Sequence, residues 1–347
     1  MPDEFYNFFK KLDNNLFINQ AHLEITYRCN LDCVYCYCLK NSNEISTNQF
    51  KKIIAQLKDL NIFFLTFSGG EPFLREDFLE LYLYAKQKGF LISVLTNGTL
   101  FNKKNIGVLA KAPPYVIEIT LNAISQKIYQ KITQTNFKVK KVLENIKFLK
   151  EKNIPVKVKT TVLNLNKDEL IKIKNYVFSV LGKPKKGYLF GYDFYIYPKI
   201  DGEKTPIKYR LNFTQIENIL KKDRDLWRDW KKELKRNLPK INLKNKFFCT
   251  FPLQNFVISP TGKLKFCIFS TKFSQDIKEK PINLTHRELL KNLENYFHEY
   301  KNSCYFNCKF NKTCFWCPIR QELEGKSNLD YFCAWAKYFY KETKRCR

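Results

Sequence analysis

Between His22 and Tyr197 the sequence alternates between short runs typical of β-strands and longer stretches with helical spacing. The β-type runs span residues 22–27, 63–68, 91–96, 115–121, 155–162 and 188–197. The helical stretches between them, in which apolar residues recur about every 3.6 residues, span residues 48–60, 78–88, 103–111, 138–152 and 167–181. This alternation predicts repeated βα units and a parallel sheet. Six units are too few for a closed eight-stranded barrel, which leaves a partial barrel or an open doubly wound sheet.

The rest of the 347-residue chain has a different pattern. Residues 200–248 are rich in lysine and predict one bridging helix over 213–237, whereas residues 255–267 predict a β-hairpin that turns at Ser259–Gly262. A further helix is predicted over 285–300. The chain is therefore expected to have an N-terminal extension, a barrel, a bridging segment and a small cysteine-rich α+β domain, over residues 1–20, 21–200, 201–248 and 249–347.

The 12 cysteines are grouped in a way that points to metal or cluster binding. Four lie between residues 29 and 38, seven lie between 249 and 333, and none lies between 39 and 248. The N-terminus lacks the basic and apolar segments of a secretory signal, and no run of 18 apolar residues occurs. We therefore expect a cytoplasmic protein without a membrane-spanning helix, in which the thiols stay reduced.

The first cysteine group follows directly on the first predicted strand, with the spacing Cys29-x3-Cys33-x2-Cys36. Three thiolates on one short loop can hold three corners of a [4Fe–4S] cluster and leave the fourth iron open to chelate an amine and a carboxylate. The alternative is a zinc site, but structural zinc needs four ligands in two paired spacings. The local sequence offers only a mis-spaced fourth cysteine, Cys38. The spacing therefore favours a cluster.

A second motif, Ser68-Gly69-Gly70-Glu71, ends the second predicted strand. Glycines at the carboxyl end of a parallel strand let the backbone approach a ligand closely, and Glu71 could accept a hydrogen bond from a cationic amine. Standing alone, the motif would be read as an ordinary turn with a solvated glutamate. Its position on the strand after the cysteine loop makes the ligand interpretation more specific.

Together the two motifs resemble the radical S-adenosylmethionine (radical SAM) superfamily, over about residues 20–200. The resemblance implies a (β/α)6 partial barrel in which Cys29, Cys33 and Cys36 ligate one catalytic [4Fe–4S] cluster. It also implies that Tyr35 contacts the adenine of S-adenosylmethionine (SAM) and that Gly69–Glu71 binds its methionyl amino group. The implied reaction is reductive cleavage of SAM to a 5′-deoxyadenosyl radical, which abstracts a hydrogen atom from the substrate.

Polar residues end two other strands of this region. Thr96-Asn97-Gly98 looks like the polar strand-end motif of the superfamily, and Thr120-Leu121-Asn122 lies where its members often have Ser-x-Asp. The resemblance implies that Thr96, Asn97, Thr120 and Asn122 contact SAM, whereas the plainer reading makes each a cap on the following helix. Lys159, on the fifth strand, is a further candidate for the SAM carboxylate.

The second cysteine group reads Cys249-x12-Gly262-x4-Cys267, then Cys304-x3-Cys308-x5-Cys314-x2-Cys317-x15-Cys333. Seven cysteines exceed one mononuclear site and could serve two zinc ions or two iron–sulfur clusters. The block resembles the SPASM domain, a cluster-bearing extension of many radical SAM enzymes, with the outer gaps of its middle element exchanged. That resemblance implies two auxiliary [4Fe–4S] clusters. The first would be bound by Cys249, Cys267 and Cys317, and the second by Cys304, Cys308, Cys314 and Cys333.

Two cysteines remain outside these sets, Cys38 and Cys346. The plainer reading makes each a bystander. The functional interpretation is that one of them donates a hydrogen atom to a substrate radical, or that Cys346 is the fourth ligand of the first auxiliary cluster.

The formal net charge of +28 is explained most simply by a lysine-biased, solvated surface. It also fits an acidic peptide or protein partner, and nucleic acid less well because no RNA-binding signature occurs. We expect a radical SAM enzyme that modifies a peptide or protein by crosslinking, oxidation or epimerisation. The alternatives are a dehydrogenase of a small alcohol or sugar and a zinc protein that binds nucleic acid.

The expected enzyme needs partners besides its substrate. An electron donor such as flavodoxin or ferredoxin would reduce the catalytic cluster. Residues 1–20 are shorter than a leader-peptide recognition domain. Leader binding is therefore expected to use the core surface or a separate protein, and no membrane partner is expected.

Overall fold

The computed structural model describes residues 19–40, 43–184, 188–236, 255–278, 280–299, 308–310, 314 and 317–345. Within them six parallel strands form the first part of the fold, in the spatial order β6-β5-β4-β3-β2-β1. Their bounds are Gln20–Thr26 (β1), Phe64–Gly69 (β2), Leu91–Thr96 (β3), Val116–Thr120 (β4), Val156–Thr161 (β5) and Phe190–Asp193 (β6). Consecutive strands are neighbours throughout, which confirms the predicted series of βα units and the partial-barrel class.

Helices connect these strands and cover one face of the sheet. They are Thr47–Asp59 (α1), Phe78–Gln87 (α2), Lys103–Lys111 (α3), Gln126–Thr133 (α4), Val139–Glu151 (α5) and Leu170–Leu181 (α6). The sequence predicted five of the six, whereas the short α4 was missed because only eight residues carry its pattern.

Helix α1 shows why these segments fold as they do. Its N-cap Ser46 and Gln49 form a reciprocal capping box, which supplies partners for backbone N–H groups that the first turn leaves unpaired. Its buried residues, Phe50, Ile53, Ile54 and Leu57, recur at helical spacing and belong to the main hydrophobic core. The spacing therefore fixes which face of the helix packs on the sheet.

Strand β1 alternates between apolar and polar side chains. Leu23 and Ile25 are fully buried in the core, whereas His22, Glu24 and Thr26 point to the opposite face. That second face is the lumen of the partial barrel. A lumen lined by polar groups is suited to binding a polar ligand rather than to forming a second apolar core.

The C-terminal hairpin adds to the same sheet. Strand β7 (Asn255–Ile258) pairs parallel to β1, and the antiparallel strands β8 (Lys263–Lys265) and β9 (Ser274–Asp276) extend it to nine strands. The predicted hairpin is confirmed. A buried ion pair links it to the barrel, because Lys265 Nζ lies 3.2 Å from Glu24 Oε2.

The bridging segment and the C-terminal helices complete the described fold. The predicted single helix over 213–237 is wrong in one respect, because it is broken into Phe213–Lys221 (α7) and Arg224–Arg236 (α8). Asp223 causes the break: its carboxylate caps the start of α8 and pairs with Lys174. The remaining helices are Ile282–Glu299 (α9), Pro318–Glu324 (α10) and Lys326–Arg345 (α11).

Helices α10 and α11 pack on the chain that follows β6. Glu324 is fully buried and pairs with Arg210, while Trp335 packs against Tyr195 at 5.1 Å and Phe213 at 4.5 Å between ring centroids. These contacts bring Cys317, the N-cap residue of α10, to the carboxyl-end side of the sheet. Among the helices of the described residues, none combines the length and the apolar character needed to cross a membrane.

Candidate active site

The loop that carries Cys29, Cys33 and Cys36 leaves the carboxyl end of β1 and is held at two points by α4. The backbone N–H of Asp32 donates to the carbonyl of Thr133 at 2.8 Å, and that of Val34 donates to Ile132 at 2.9 Å. The helix that the sequence did not predict therefore fixes the conformation of the cysteine loop.

Burial governs the acidity of the loop thiols. It raises the pKa of Cys29 to about 11 and that of Cys33 well above its usual range. Buried thiolates are thus unfavourable unless a positive charge compensates them. A metal cluster supplies such a charge, so the donor set fits an iron–sulfur group.

Among the described residues, no three His, Cys, Asp or Glu side chains have the arrangement of a site for one metal ion. The choice between a cluster and zinc therefore rests on the sequence, in which Cys29, Cys33 and Cys36 supply three ligands on one short loop.

Cys38 lies directly against this site. Its thiol hydrogen-bonds Cys36, which lowers the pKa of Cys36, and its Sγ lies 3.9 Å from the carbonyl oxygen of Gly69. Cys38 is buried. It thus joins the cysteine loop to the end of β2, and its predicted role as a hydrogen-atom donor stays a prediction. The other orphan, Cys346, lies outside the described residues.

Gly69 and Gly70 allow two backbone segments to touch. A Cβ on Gly69 would lie 2.1 Å from the carbonyl oxygen of Thr26, and one on Gly70 would lie 2.1 Å from that of Arg28. Gly69 also has a φ of +120°, which favours glycine. The sequence suggested that these glycines let a ligand approach the backbone closely, and in the structure the start of the cysteine loop lies at that distance. The Gly70 N–H donates to the carbonyl of Thr26 at 2.7 Å, and the Glu71 N–H donates to that of Arg28 at 2.9 Å.

Glu71 is fully buried and ties the end of β2 to the end of β3. Its carboxylate accepts hydrogen bonds from Thr96 Oγ1 at 2.8 Å, from the Asn97 N–H at 2.8 Å and from the Phe73 N–H at 3.2 Å. Burial raises its pKa to about 7. Thr96 and Asn97 thus lie next to Glu71, whose carboxylate holds the ends of β2 and β3 together. Their predicted contact with SAM stays a prediction.

Asn97 connects the end of β3 to the cysteine loop. Its Nδ2 donates to Asn30 Oδ1 at 2.8 Å and lies 3.7 Å from Cys29 Sγ. Asn30 in turn donates to Thr99 Oγ1 at 2.8 Å. Asn30 was missed by sequence reasoning, although an amide inside a cysteine loop is a signal for local hydrogen bonding.

Asn122 connects the end of β4 to the same loop. Its Nδ2 donates to the hydroxyl oxygen of Tyr35 at 2.7 Å, and its Oδ1 accepts from the Thr161 N–H at 2.8 Å. Tyr35 packs against the small apolar cluster formed by Ile132, Leu163 and Ile196. Thr120 is half-buried on the lumen face of β4, two residues before Asn122. The predicted SAM contacts therefore surround one loop, at the carboxyl ends of β2, β3 and β4.

The second cysteine group is described in part, since Cys249 and Cys304 lie outside the described residues. Cys267 follows β8, and Cys317 caps α10. The segments that follow them meet at Tyr197: its ring lies 4.5 Å from that of Phe269 and 4.5 Å from the Arg320 guanidinium. Two of the three predicted ligands of the first auxiliary cluster thus lie in segments that touch.

The segments of Cys308 and Cys333 also touch. Phe310 packs against Tyr340 at 5.1 Å, and Tyr340 lies two helical turns after Cys333 on α11. These contacts are compatible with the predicted second set, to which Cys314 also belongs.

Comparison with known proteins identifies the class of the barrel. Residues 23–177 match the family model described as the Radical SAM superfamily. This part of the chain, less than half of its length, is therefore similar to the radical SAM superfamily, whose members use SAM together with a [4Fe–4S] cluster.

Two curated proteins show how the chain is related to known enzymes. It is 28% identical over 152 residues to the PqqA peptide cyclase of Bradyrhizobium diazoefficiens, covering 43% of this chain and 40% of that protein. It is 27% identical over 337 residues to the subtilosin biosynthesis protein AlbA of Bacillus subtilis, covering 91% of this chain and 71% of AlbA. The first match thus spans about two fifths of its relative, whereas the second extends over most of both chains.

The overall fold resembles that of SuiB from Streptococcus suis, in a crystal structure with its precursor peptide SuiA. The TM-score is 0.69 at 16% identity, covering 91% of this chain and 76% of SuiB. The similarity extends past the radical SAM domain into the C-terminal region.

Proposed function

We propose that this chain is a radical SAM enzyme that modifies a peptide or protein after translation. The observation that carries the proposal is the cysteine loop, which is tied to the strand ends by Asn97 at Cys29 and by Asn122 at Tyr35. The relatives support a peptide as the substrate, because one is a peptide cyclase and another a bacteriocin biosynthesis protein.

In this proposal Cys29, Cys33 and Cys36 hold the catalytic cluster, and the backbone of Gly69–Glu71 and the side chain of Asn97 line the SAM site. A cluster held there would supply, when reduced, the electron for cleavage of SAM, and the resulting radical would remove a hydrogen atom from the substrate. The chain orients the loop through Asn97 and Asn122 and excludes water through the apolar packing around Tyr35.

The proposal extends to the C-terminal region. Cys267 and Cys317, with Cys249, would bind a first auxiliary cluster, and Cys304, Cys308, Cys314 and Cys333 a second. The contact of Phe269 and Arg320 on Tyr197 supports the first set, and that of Phe310 on α11 supports the second. Anaerobically reconstituted protein should then contain about 12 iron atoms per chain, four for each cluster. A value of about four, unchanged by Cys267→Ala, would remove the auxiliary clusters from the proposal.

Partners follow from the chemistry. An external one-electron donor such as a flavodoxin or ferredoxin is needed, and a separate leader-binding protein is proposed for substrates that carry a leader. The net charge of +28 would favour acidic partners at low salt.

The direct test is modification of a peptide. The reconstituted enzyme is incubated with SAM, reductant and peptides encoded next to its gene, one at a time, and each peptide is weighed by mass spectrometry. We expect a loss of two hydrogen masses for a crosslink or oxidation, or deuterium uptake from D2O for an epimerisation. Formation of 5′-deoxyadenosine without change in any such peptide would contradict the peptide substrate and leave the radical SAM chemistry intact.

A further inference from the structure

The lumen face of β4–β6 carries a set of charged side chains beside the candidate active site. On β5 the side chains of Val158 and Thr160 are buried, so Lys159 points to the opposite face, into the lumen. The register pairs Lys159 with Thr120 of β4 and Thr161 with Asp193 of β6. Asp193 therefore lies on the same face as Lys159, two residues further along the sheet.

Lys159 is the member of this set whose side chain lacks a hydrogen bond or ion pair. Its residue is exposed although it lies in an interior strand, and within the described ranges its side chain has no hydrogen bond or ion pair. Most surface lysines need no partner, but this one sits at the carboxyl end of a parallel strand, where ligands of such barrels bind. An unpaired cation at this position points to an anionic ligand.

Two further charged groups flank Lys159. Asp193 Oδ1 accepts from the Tyr195 N–H at 2.7 Å. Burial raises the pKa of Asp193, and the nearby positive charges of Lys159 and Arg320 act in the opposite direction. Arg320 reaches this place from α10, with its guanidinium 4.5 Å from the Tyr197 ring and 5.4 Å from the Phe269 ring. Lys159 and Arg320 thus both lie near this carboxylate.

The set lies between the cysteine loop and the region of Cys317. Thr120, in register with Lys159, is followed by Asn122, which binds Tyr35 of the loop. On the other side, the Ile200 N–H donates to the carbonyl of Tyr37 at 3.0 Å, so the chain after β6 crosses to the loop. The set therefore lies beside the catalytic loop, next to the chain that follows β6.

We propose that Lys159, flanked by Asp193 and Arg320, is a specificity-determining residue that binds the carboxylate side chain of an aspartate or glutamate in the peptide substrate. The proposal rests on the proposed function, since it assumes a peptide in the lumen. Lys159 donates to the substrate carboxylate, and Arg320 adds a second positive charge from the far side. Asp193 disfavours a second carboxylate beyond the first.

The test selects peptides instead of assuming one. A random peptide library is displayed on its own mRNA and selected on reconstituted wild-type protein with SAM, on Lys159→Met, on Lys159→Glu and on Lys140→Met. Lys140 is an exposed lysine of α5, so its variant removes the same charge from outside the lumen.

We expect wild type and Lys140→Met to enrich peptides with Asp or Glu at one position relative to a fixed motif. Lys159→Met should bind those peptides about tenfold less tightly, the loss of one charge-assisted hydrogen bond. Lys159→Glu should favour Lys or Arg at that position.

Each other outcome overturns a defined part of the account. Equal enrichment of acidic peptides by wild type and both Lys159 variants would assign the preference to the general surface charge and refute the proposal. A tenfold loss of SAM affinity in Lys159→Met, with peptide affinity unchanged, would assign Lys159 to the SAM carboxylate instead. If wild type enriches no peptide above bare matrix, the proposed peptide function itself fails.

Discussion

Asn97 Nδ2 lies 3.7 Å from Cys29 Sγ, and this contact joins the end of β3 to the first cysteine of the loop. The same nitrogen donates to Asn30 at 2.8 Å, and the Asn97 N–H donates to buried Glu71. One residue therefore couples a cysteine, the loop backbone and the strand-end carboxylate. Hydrogen bonds to cysteine sulfur tune an iron–sulfur cluster, so Asn97 has a role that cluster measurements can reveal.

Asn97→Asp keeps the shape of the side chain and removes the donor to sulfur. We expect the bound cluster to have a lower reduction potential, because a donor is replaced by a negative charge. The potential is measured by redox titration with electron paramagnetic resonance, and Asn283→Asp, at an exposed position of α9, serves as control. An unchanged potential in Asn97→Asp would mean that the contact has no effect on the cluster.

Gly70→Ala should prevent the close contact with Arg28. The new Cβ would lie 2.1 Å from the Arg28 carbonyl oxygen, so the cysteine loop or β2 must shift. We expect poor folding, or folded protein with reduced iron content. Gly107→Ala is the matched control, because nothing lies within 4 Å of its Cβ. It should stabilise α3 by up to about 1 kcal/mol. Normal iron content and thermal stability in Gly70→Ala would contradict the packing described for this glycine.

Glu71 should make stability depend on pH. Its pKa is raised by burial from 4.5 to about 7, so the protonated form favours the folded state. The stability that this group contributes is full below pH 4.5 and is lost as the pH rises through about 7. Glu71→Gln removes this dependence. The variant should therefore gain in melting temperature relative to wild type as the pH rises from about 4.5 to about 7, with no further gain above that range, measured by scanning fluorimetry.

Glu144→Gln, on the exposed face of α5, supplies the comparison for that experiment. Its difference from wild type should stay constant over the same pH range. A difference between Glu71→Gln and wild type that also stays constant would show that Glu71 has an ordinary pKa in the folded protein.

The buried pair Glu24–Lys265 should be costly to break. The two atoms are 3.2 Å apart, and Tyr27 also donates to Glu24 at 2.7 Å. Lys265→Met leaves a buried carboxylate without its cation and should cost roughly 3–5 kcal/mol of unfolding free energy. The double variant Glu24→Leu/Lys265→Met should recover much of that loss. Lys199→Met, in an exposed pair with Glu203, should cost less than about 1 kcal/mol.

These values are obtained from urea unfolding followed by circular dichroism. A loss in Lys265→Met no greater than that in Lys199→Met would mean that the barrel and the hairpin are not held together by this pair. A double variant as unstable as the single one would point instead to the lost contacts of Tyr27 and Ile268 with the pair.

Much of the fold followed from periodicity, because strands such as β3 and helices such as α3 keep one pattern from end to end. The predicted bounds 91–96 and 103–111 coincide with those observed. Helix α4 and the break at Asp223 could not be found in this way. Both depend on short segments and on tertiary partners, the cysteine loop for α4 and Lys174 for the break.

The candidate site was predictable where residue type alone limits the chemistry. Three closely spaced free cysteines have few uses besides binding a metal ion or a cluster, and the strand-end positions of Glu71, Asn97 and Asn122 follow from the parallel sheet. The sequence could not show which partners these side chains and glycines contact. Glu71 binds internal donors, and the two glycines contact the cysteine loop, because the strand ends lie closer together than a linear pattern can indicate.

The same limit applies to contacts between distant parts of the chain. Asp193 and Arg320 are separated by more than 100 residues and come near each other because α10 packs on the chain that follows β6. The pairing of Glu24 with Lys265 arises in the same way, from the addition of β7 to β1. No local pattern in the sequence reports either pair.

The central claim, that Cys29, Cys33 and Cys36 hold a cluster that cleaves SAM, is tested by one measurement. Protein reconstituted without oxygen is given SAM and dithionite, and 5′-deoxyadenosine is quantified by chromatography and mass spectrometry. We predict that wild type and the surface variant Lys140→Met form 5′-deoxyadenosine and methionine in equal amounts, and that Cys36→Ser forms neither. Iron-loaded wild type that produces no 5′-deoxyadenosine, or a Cys36→Ser variant as active as wild type, would contradict the account.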